Sequence, residues 1–297
     1  MRFAGTVAAF AAICLTPGIV AQQAGVRTVY VAAQSGKGVP VPDLGATDFV
    51  VKEDGKVREI VKAELATAPL HVALLLDDGG LAINGIRQGA GQFIETLQGK
   101  GEFTILTIGA RALTLVDFTS SAPALYDGIR NLFARKTESS DLLDGILQVT
   151  AEFQRRKAER PVIVAIAAET EEVSSAQAPV VLDEIQKSRA KFYYIGLGSP
   201  VTAGTRPALN ANTPDRSTEA ETASRNAVLG AAPKSSGGRS EQSLQPTGVP
   251  VLMKQFADEI AAHYAITYST DAPQAKLSVE SRRKGVTVRA PSRVGTR

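Results

Sequence analysis

The sequence predicts an α/β protein: a doubly wound, mostly parallel sheet with helices on both faces, a small N-terminal all-β unit and a C-terminal β-hairpin. Three observations predict it. Between residues 70 and 198, short apolar runs of strand length alternate with amphipathic stretches of helix length, the pattern of right-handed βαβ units. Residues 26–66 are rich in β-branched residues and carry Asp54-Gly55 between two such runs, a strong hairpin signal. After residue 263 the chain again alternates at period two, in Tyr264–Thr270, Lys276–Arg282 and Val286–Ala290, with Lys284-Gly285 as the last turn.

Val26–Ala33, Phe49–Lys52 and Val57–Val61 read as strands of a unit too small to be stable alone, so it should pack on the α/β half of the chain. Strand Val72–Leu76 leads to helix Ile83–Leu97, then strand Phe103–Ile108 and the short strand Leu113–Phe118. Helices Ala122–Ala134 and Asp141–Arg156 come next, then strand Val162–Ala167. Helix Pro179–Arg189 has proline in its first turn, where no backbone donor is lost, and strand Phe192–Leu197 closes this half. Residues 199–217 are polar and proline-bearing without apolar periodicity, which predicts a flexible insertion. Thr218-x-x-Glu221 reads as a capping-box helix start, and Val251–His263 is an amphipathic helix with Leu252, Phe256, Ile260 and His263 on one face.

The first 21 residues read as a secretory signal peptide: Met1-Arg2 is basic, Phe3 to Cys14 apolar, and Ile19-Val20-Ala21 precedes Gln22 as a cleavage box. Thr16, Pro17 and Gly18 interrupt the apolar run short of the ~20 residues a membrane span needs. Export to a periplasm or the outside is therefore expected, with no membrane span in the mature chain. Cys14 is the only cysteine, and bulky Ile13 before it argues against lipidation. A mature chain without cysteine holds no disulfide, thiol nucleophile or zinc–cysteine site. With 33 basic against 30 acidic residues and no basic run interleaved with aromatics, nucleic-acid binding is unsupported. The one locally basic stretch, residues 282–297, reads as a solvated strand end and tail.

Several pieces, in order, carry a resemblance: Asp48-Phe49-Val50-Val51-Lys52-Glu53-Asp54-Gly55, the strand ending in Asp77, Ser140-Asp141-Leu142-Leu143-Asp144-Gly145, Glu169 after a central strand, Ser236-Gly237-Gly238-Arg239, and Ile260 through Tyr268. Together they resemble the bacterial von Willebrand factor type A-related proteins. The resemblance implies a domain over residues 70–270, a C-terminal β extension over 271–297, one antiparallel edge strand at Leu113–Phe118, and a ligand site at the carboxyl edge of the sheet. It also implies a metal-ion-dependent adhesion site, in degenerate form. The family's loop Asp-x-Ser-x-Ser reads Asp77-Asp78-Gly79-Gly80-Leu81 here, so two direct hydroxyl ligands are gone. Asp77, Ser140 and Glu169 remain as the metal set. Magnesium demands near-ideal octahedral oxygen coordination, so neither magnesium nor manganese is expected to bind well.

Asp78, Glu138, Asp141, Glu171 and Glu172 sit on the predicted mouth loops 77–84, 136–141 and 168–177 and are the candidates for meeting a partner. Their plainer reading is as solvated acids. No catalytic set is complete. Gly79 stands where a haloacid-dehalogenase-like phosphatase needs its second acid, and a receiver domain belongs in the cytosol. Gly-x-Ser-x-Gly does not occur, and Gly196-x-Gly198 opens no helix. Of the two histidines, His263 lies on an apolar helical face and reads as a packed residue. The expected function is an exported, non-catalytic module that binds a protein partner through the sheet's carboxyl edge; the competing reading is a metal-assisted hydrolase using Asp77.

Overall fold

The computed structural model describes residues 25–135, 139–168, 170–198 and 216–295; the expected signal peptide with Cys14, most of the 199–217 insertion, Glu138 and Glu169 lie outside the described residues. Four strands come first: β1 (Gly25–Ser35), β2 (Phe49–Glu53), β3 (Lys56–Arg58) and β4 (Ile60–Leu65). The alternating half then runs β5 (Leu70–Leu76), α1 (Ile83–Leu97), β6 (Gly101–Thr107), β7 (Leu113–Thr119), α2 (Ala122–Arg130), the two-residue β8 (Ser139–Ser140) and α3 (Leu142–Arg155). It continues through β9 (Arg160–Ala168), the two-residue β10 (Glu171–Glu172), α4 (Ala178–Ser188), β11 (Lys191–Leu197), α5 (Arg216–Ser236), β12 (Arg239–Ser243) and α6 (Val249–Ala261). The chain returns in β13 (Tyr264–Thr270), β14 (Gln274–Ser281), β15 (Val286–Arg289) and β16 (Arg293–Gly295).

The main sheet has six strands in the order β12-β11-β9-β5-β6-β7, parallel except for β7, which pairs antiparallel with β6 at the edge. The central strand β5 is buried on both faces, and its side chains alternate between two cores. Val72, Leu74 and Leu76 face α1, α2 and α6; Ala73 and Leu75 face α3, α4 and α5. This is the doubly wound architecture expected from the alternation, and β7 is the expected antiparallel edge.

Two features extend the sequence reading. The polar strand β12 carries no apolar run, yet it forms the sheet's other edge beside β11. Helix α5 begins at Arg216, so Thr218 lies inside it rather than at its cap. It ends where Gly238 N–H reaches Pro233 C=O, 2.8 Å, with Gly237 at φ +73. A side chain at Gly237 would also meet the Ala290 carbonyl carbon at 2.4 Å, so glycine is required twice over there.

The N-terminal strands do not stand apart. β15-β1-β13-β4 and β16-β14-β2-β3 form two antiparallel four-stranded sheets. Val31, Phe49, Val51, Tyr264, Ile266 and Tyr268 fill the core they share. Residues 26–66 thus find their hydrophobic partners in 264–295, which satisfies a unit too small to bury its own face. The Asp54-Gly55 hairpin forms as predicted, both residues having positive φ. The C-terminal hairpin does not. The chain turns at 283–286, but β14 then pairs with β2 and β16 while β15 pairs with β1, so the turn links two sheets instead of closing one ladder.

Candidate functional site

The strand ends at the sheet's carboxyl edge converge on Asp77. Its backbone N–H donates to Ile166 C=O, 2.9 Å, which continues the β5–β9 pairing one residue past β5. Its carboxylate then accepts from Gly79 N–H at Oδ1, 2.7 Å, and from Ala168 N–H at Oδ2, 2.8 Å. Asp77 is 2% exposed, and burial raises its pKa against the pull of those two donors. The side chain clamps the ends of β5 and β9 together.

Asp78 turns the other way and is also buried. Its Oδ2 pairs with Arg135 Nε at 3.1 Å, while Arg135 N–H donates to Asp78 C=O, 2.7 Å. Asp141, at the start of α3, is buried and accepts from Ala112 N–H, 2.7 Å. Ser140 is fully buried, and its hydroxyl has no hydrogen-bond partner among the described residues.

The short parallel pair of β8 and β10 decides which acid faces inward. Glu171 aligns with Ser139 and Glu172 with Ser140, and successive strand residues point to opposite sides. Glu171 is exposed and Glu172 fully buried. Glu172 accepts from Leu143 N–H in the first turn of α3, 3.2 Å, and lies 3.5 Å from Arg225 Nε, an ion pair without hydrogen-bond contact. Burial pushes its pKa up to about 7, although the Leu143 N–H and the Arg225 charge pull it down. The expectation of a solvated Glu172 is corrected by this geometry, as it is for Asp78 and Asp141. Of the candidate acids Asp78, Asp141, Glu171 and Glu172, only Glu171 faces outward.

Arg225, on α5, completes the edge. It is 3% exposed, and its guanidinium donates to the carbonyls of Thr170 at 3.0 Å and Ala168 at 2.5 Å. Those carbonyls flank position 169. Its charge also lowers the Asp77 pKa. Sequence reasoning passed Arg225 over because α5 is a polar helix. A signal was present: Val228 and Ala232 succeed it at helical spacing and are fully buried, so Arg225 rides on the inward stripe.

The same edge carries apolar side chains that face solvent. Phe133, in the α2–β8 loop, is 64% exposed; Val173, just after β10, 44%; and Leu244, just after β12, 67%.

No family model matches the sequence, and no curated protein matches it. Solved structures do match. They include von Willebrand factor type A domains. A von Willebrand factor type A protein from Catenulispora acidiphila is 9% identical with a TM-score of 0.45, over 90% of this chain and 74% of that one. The vWF domain of the type V pilus tip protein Mfa5 from Porphyromonas gingivalis is 11% identical with a TM-score of 0.45, over 66% of this chain and 96% of that one. Proximal thread matrix protein 1 from the mussel byssus is 10% identical with a TM-score of 0.47; this chain spans 50% of its length, with 76% of its own length matched. The fold of the present chain is defined by its own strand order and helix layers. Of the residues that the von Willebrand A resemblance singled out, Asp77 and Ser140 do share the carboxyl edge, and Glu169 lies outside the described residues.

Proposed function

We propose that this chain is an exported, non-catalytic protein-interaction module that meets a protein partner through the carboxyl-edge loops without a bound metal. The observation that carries the reading is a division of labour at that edge. Its buried charges are turned toward one another and toward backbone groups, while Phe133, Val173, Leu244 and Glu171 are left for an outside surface. Exposed aromatic and aliphatic groups beside a few charges are what a protein surface recognises by shape and desolvation.

The residues present suit a divalent ion poorly. Both Asp77 oxygens are engaged by backbone N–H groups, Gly79 offers no side-chain oxygen, and the Ser140 hydroxyl is left as a direct donor. A cation is already supplied by the chain. The Arg225 guanidinium is bonded to the Ala168 and Thr170 carbonyls, between Asp77 and Glu172. A divalent ion there would meet like charge in a region of low dielectric. The same two N–H bonds disfavour Asp77 as a nucleophile or base, which weakens the hydrolase alternative. Among the described residues, no helix is long and apolar enough to cross a membrane, and the export reading rests on the first 21 residues.

The test is capture of a partner from the native organism's envelope fraction in the presence of EDTA. Wild type should retain the partner, and Phe133→Asp together with Leu244→Asp should release it. Capture that needs magnesium or manganese would overturn the metal-free reading. Hydrolase activity lost on Asp77→Ala would overturn the non-catalytic one.

A further inference from the structure

At the opposite, amino edge of the main sheet, a cavity of about 410 Å³ opens between the α/β half and the β-sandwich. Its walls come from the start of β9, the end of α4, the start of β11, the end of α5, the middle of β1 and the segment 291–295. The volume falls in the range of small-molecule sites. Its charge is one-sided: six arginine or lysine side chains line it against two acids, Glu159 and Asp183. Asp183 is engaged by Lys187 at 2.7 Å, and Arg27 by Glu53 at 2.5 Å. Neither Arg160 nor Lys191 has a carboxylate at salt-bridge distance among the described residues.

Those two cations are buried, at 5% exposure each. Arg160 spends Nη1 on the carbonyls of Ala66 and Ala68 and Nη2 on that of Ile260, while its Nε has no acceptor among the described residues. Its guanidinium lies 5.3 Å from the centre of the Tyr30 ring. Lys191 Nζ donates to Gly237 C=O, 3.1 Å, leaving capacity for two more bonds. A buried cation without an anion is costly, and two facing one cavity make it a place where a negative group is stabilised.

We propose that this cavity is a binding site for a small carboxylate, with Lys191 and Arg160 holding the anion and Tyr30, Val162 and Ile185 lining the space for a short apolar body. The proposal is independent of the partner surface at the other edge. The surroundings of Lys191 agree with it. Burial, with Arg289 and Arg160 nearby, pushes its pKa down to about 7 against the pull of Glu259, so Glu259 offsets the buried charge only in part and a bound carboxylate would supply the remainder. Both Glu259 oxygens are engaged elsewhere: Oε1 accepts from Tyr193 Oη, and Oε2 accepts from Gln34 and is ion-paired with Arg289 and Arg239.

Butyrate titrated calorimetrically into the full chain tests this, with inorganic phosphate as the second anion and neutral butyramide as the control. Butyrate should bind and butyramide should not, and Lys191→Met should weaken butyrate roughly tenfold or more, the worth of a charged hydrogen bond. If Lys191→Met does not fold by circular dichroism, Lys191→Gln takes its place and should weaken binding severalfold. No heat with butyrate at two temperatures in folded wild type would overturn the proposal. So would undiminished binding in a folded variant, or binding of phosphate in preference to butyrate.

Discussion

Arg225 and Glu172 show how far a single residue's setting departs from its type. Removing one partner of a buried ion pair leaves an uncompensated charge, so Arg225→Met should destabilise the fold by about 3 kcal/mol in urea unfolding. Adding Glu172→Gln should recover part of that loss, because the stranded carboxylate goes with it. Purely additive losses would show that the two do not interact. Glu172 also fixes a pH dependence. Its pKa lies near 4.5 when unfolded and about 7 when folded, so between those values the folded state holds more protons. Stability therefore falls as pH rises through that window. Lys191 works in the next one. Its pKa drops from 10.5 to about 7 on folding, so stability rises as pH climbs from 7 toward 10.5. A shallow minimum near neutrality is expected in urea midpoints, and Glu172→Gln should flatten its acid side. None of this was legible in the sequence. Glu171-Glu172 reads as a pair of loop charges, and only the two-residue ladder with Ser139-Ser140 separates one that faces out from one that faces in.

The elements themselves were much more legible, because periodicity and length survive without knowledge of neighbours. Helix α1 and strand β13 occupy their expected residues, and β7 is the antiparallel edge. What escaped were elements defined by their neighbours: β12 is polar, and β8 and β10 exist only as each other's partner. Helix α1 offers a test at this scale. A methyl at Gly85 would meet the Pro246 carbonyl oxygen at 2.2 Å, whereas at Gly91 it would find only Tyr126 Cε1 at 4.0 Å. Both changes raise helix propensity equally. Gly91→Ala should therefore stabilise by up to about 1 kcal/mol, and Gly85→Ala should destabilise by about 2 kcal/mol through overpacking. Thermal melts of the two variants compare them directly; equal shifts would mean that the turn before α6 yields freely.

Across the whole molecule, one buried network ties the two halves together. Glu259 on α6 accepts from Tyr193 in the main sheet and from Gln34 in the sandwich and is ion-paired with Arg289 there, while Tyr193 shares a 3.0 Å hydrogen bond with buried His263. His263 is packed, as its apolar setting in the sequence predicts, but its side-chain partner Tyr193 lies 70 residues away and leaves no local signature. Glu53 does the corresponding work inside the sandwich, where it meets Arg27, Arg58, Tyr268 and Thr270. This gives a physical role to the Asp48–Gly55 stretch that marked the family resemblance. With the halves joined this way, far-ultraviolet circular dichroism and tyrosine emission should report one coincident thermal transition.

We propose that Arg225 serves as the carboxyl edge's own cation and that no metal is needed there. The most direct test is the melting temperature of wild type in EDTA and in millimolar magnesium or manganese. The two values should agree within about one degree, because an ion that does not bind the folded state cannot stabilise it. A rise of several degrees with either ion would show that the folded edge binds it.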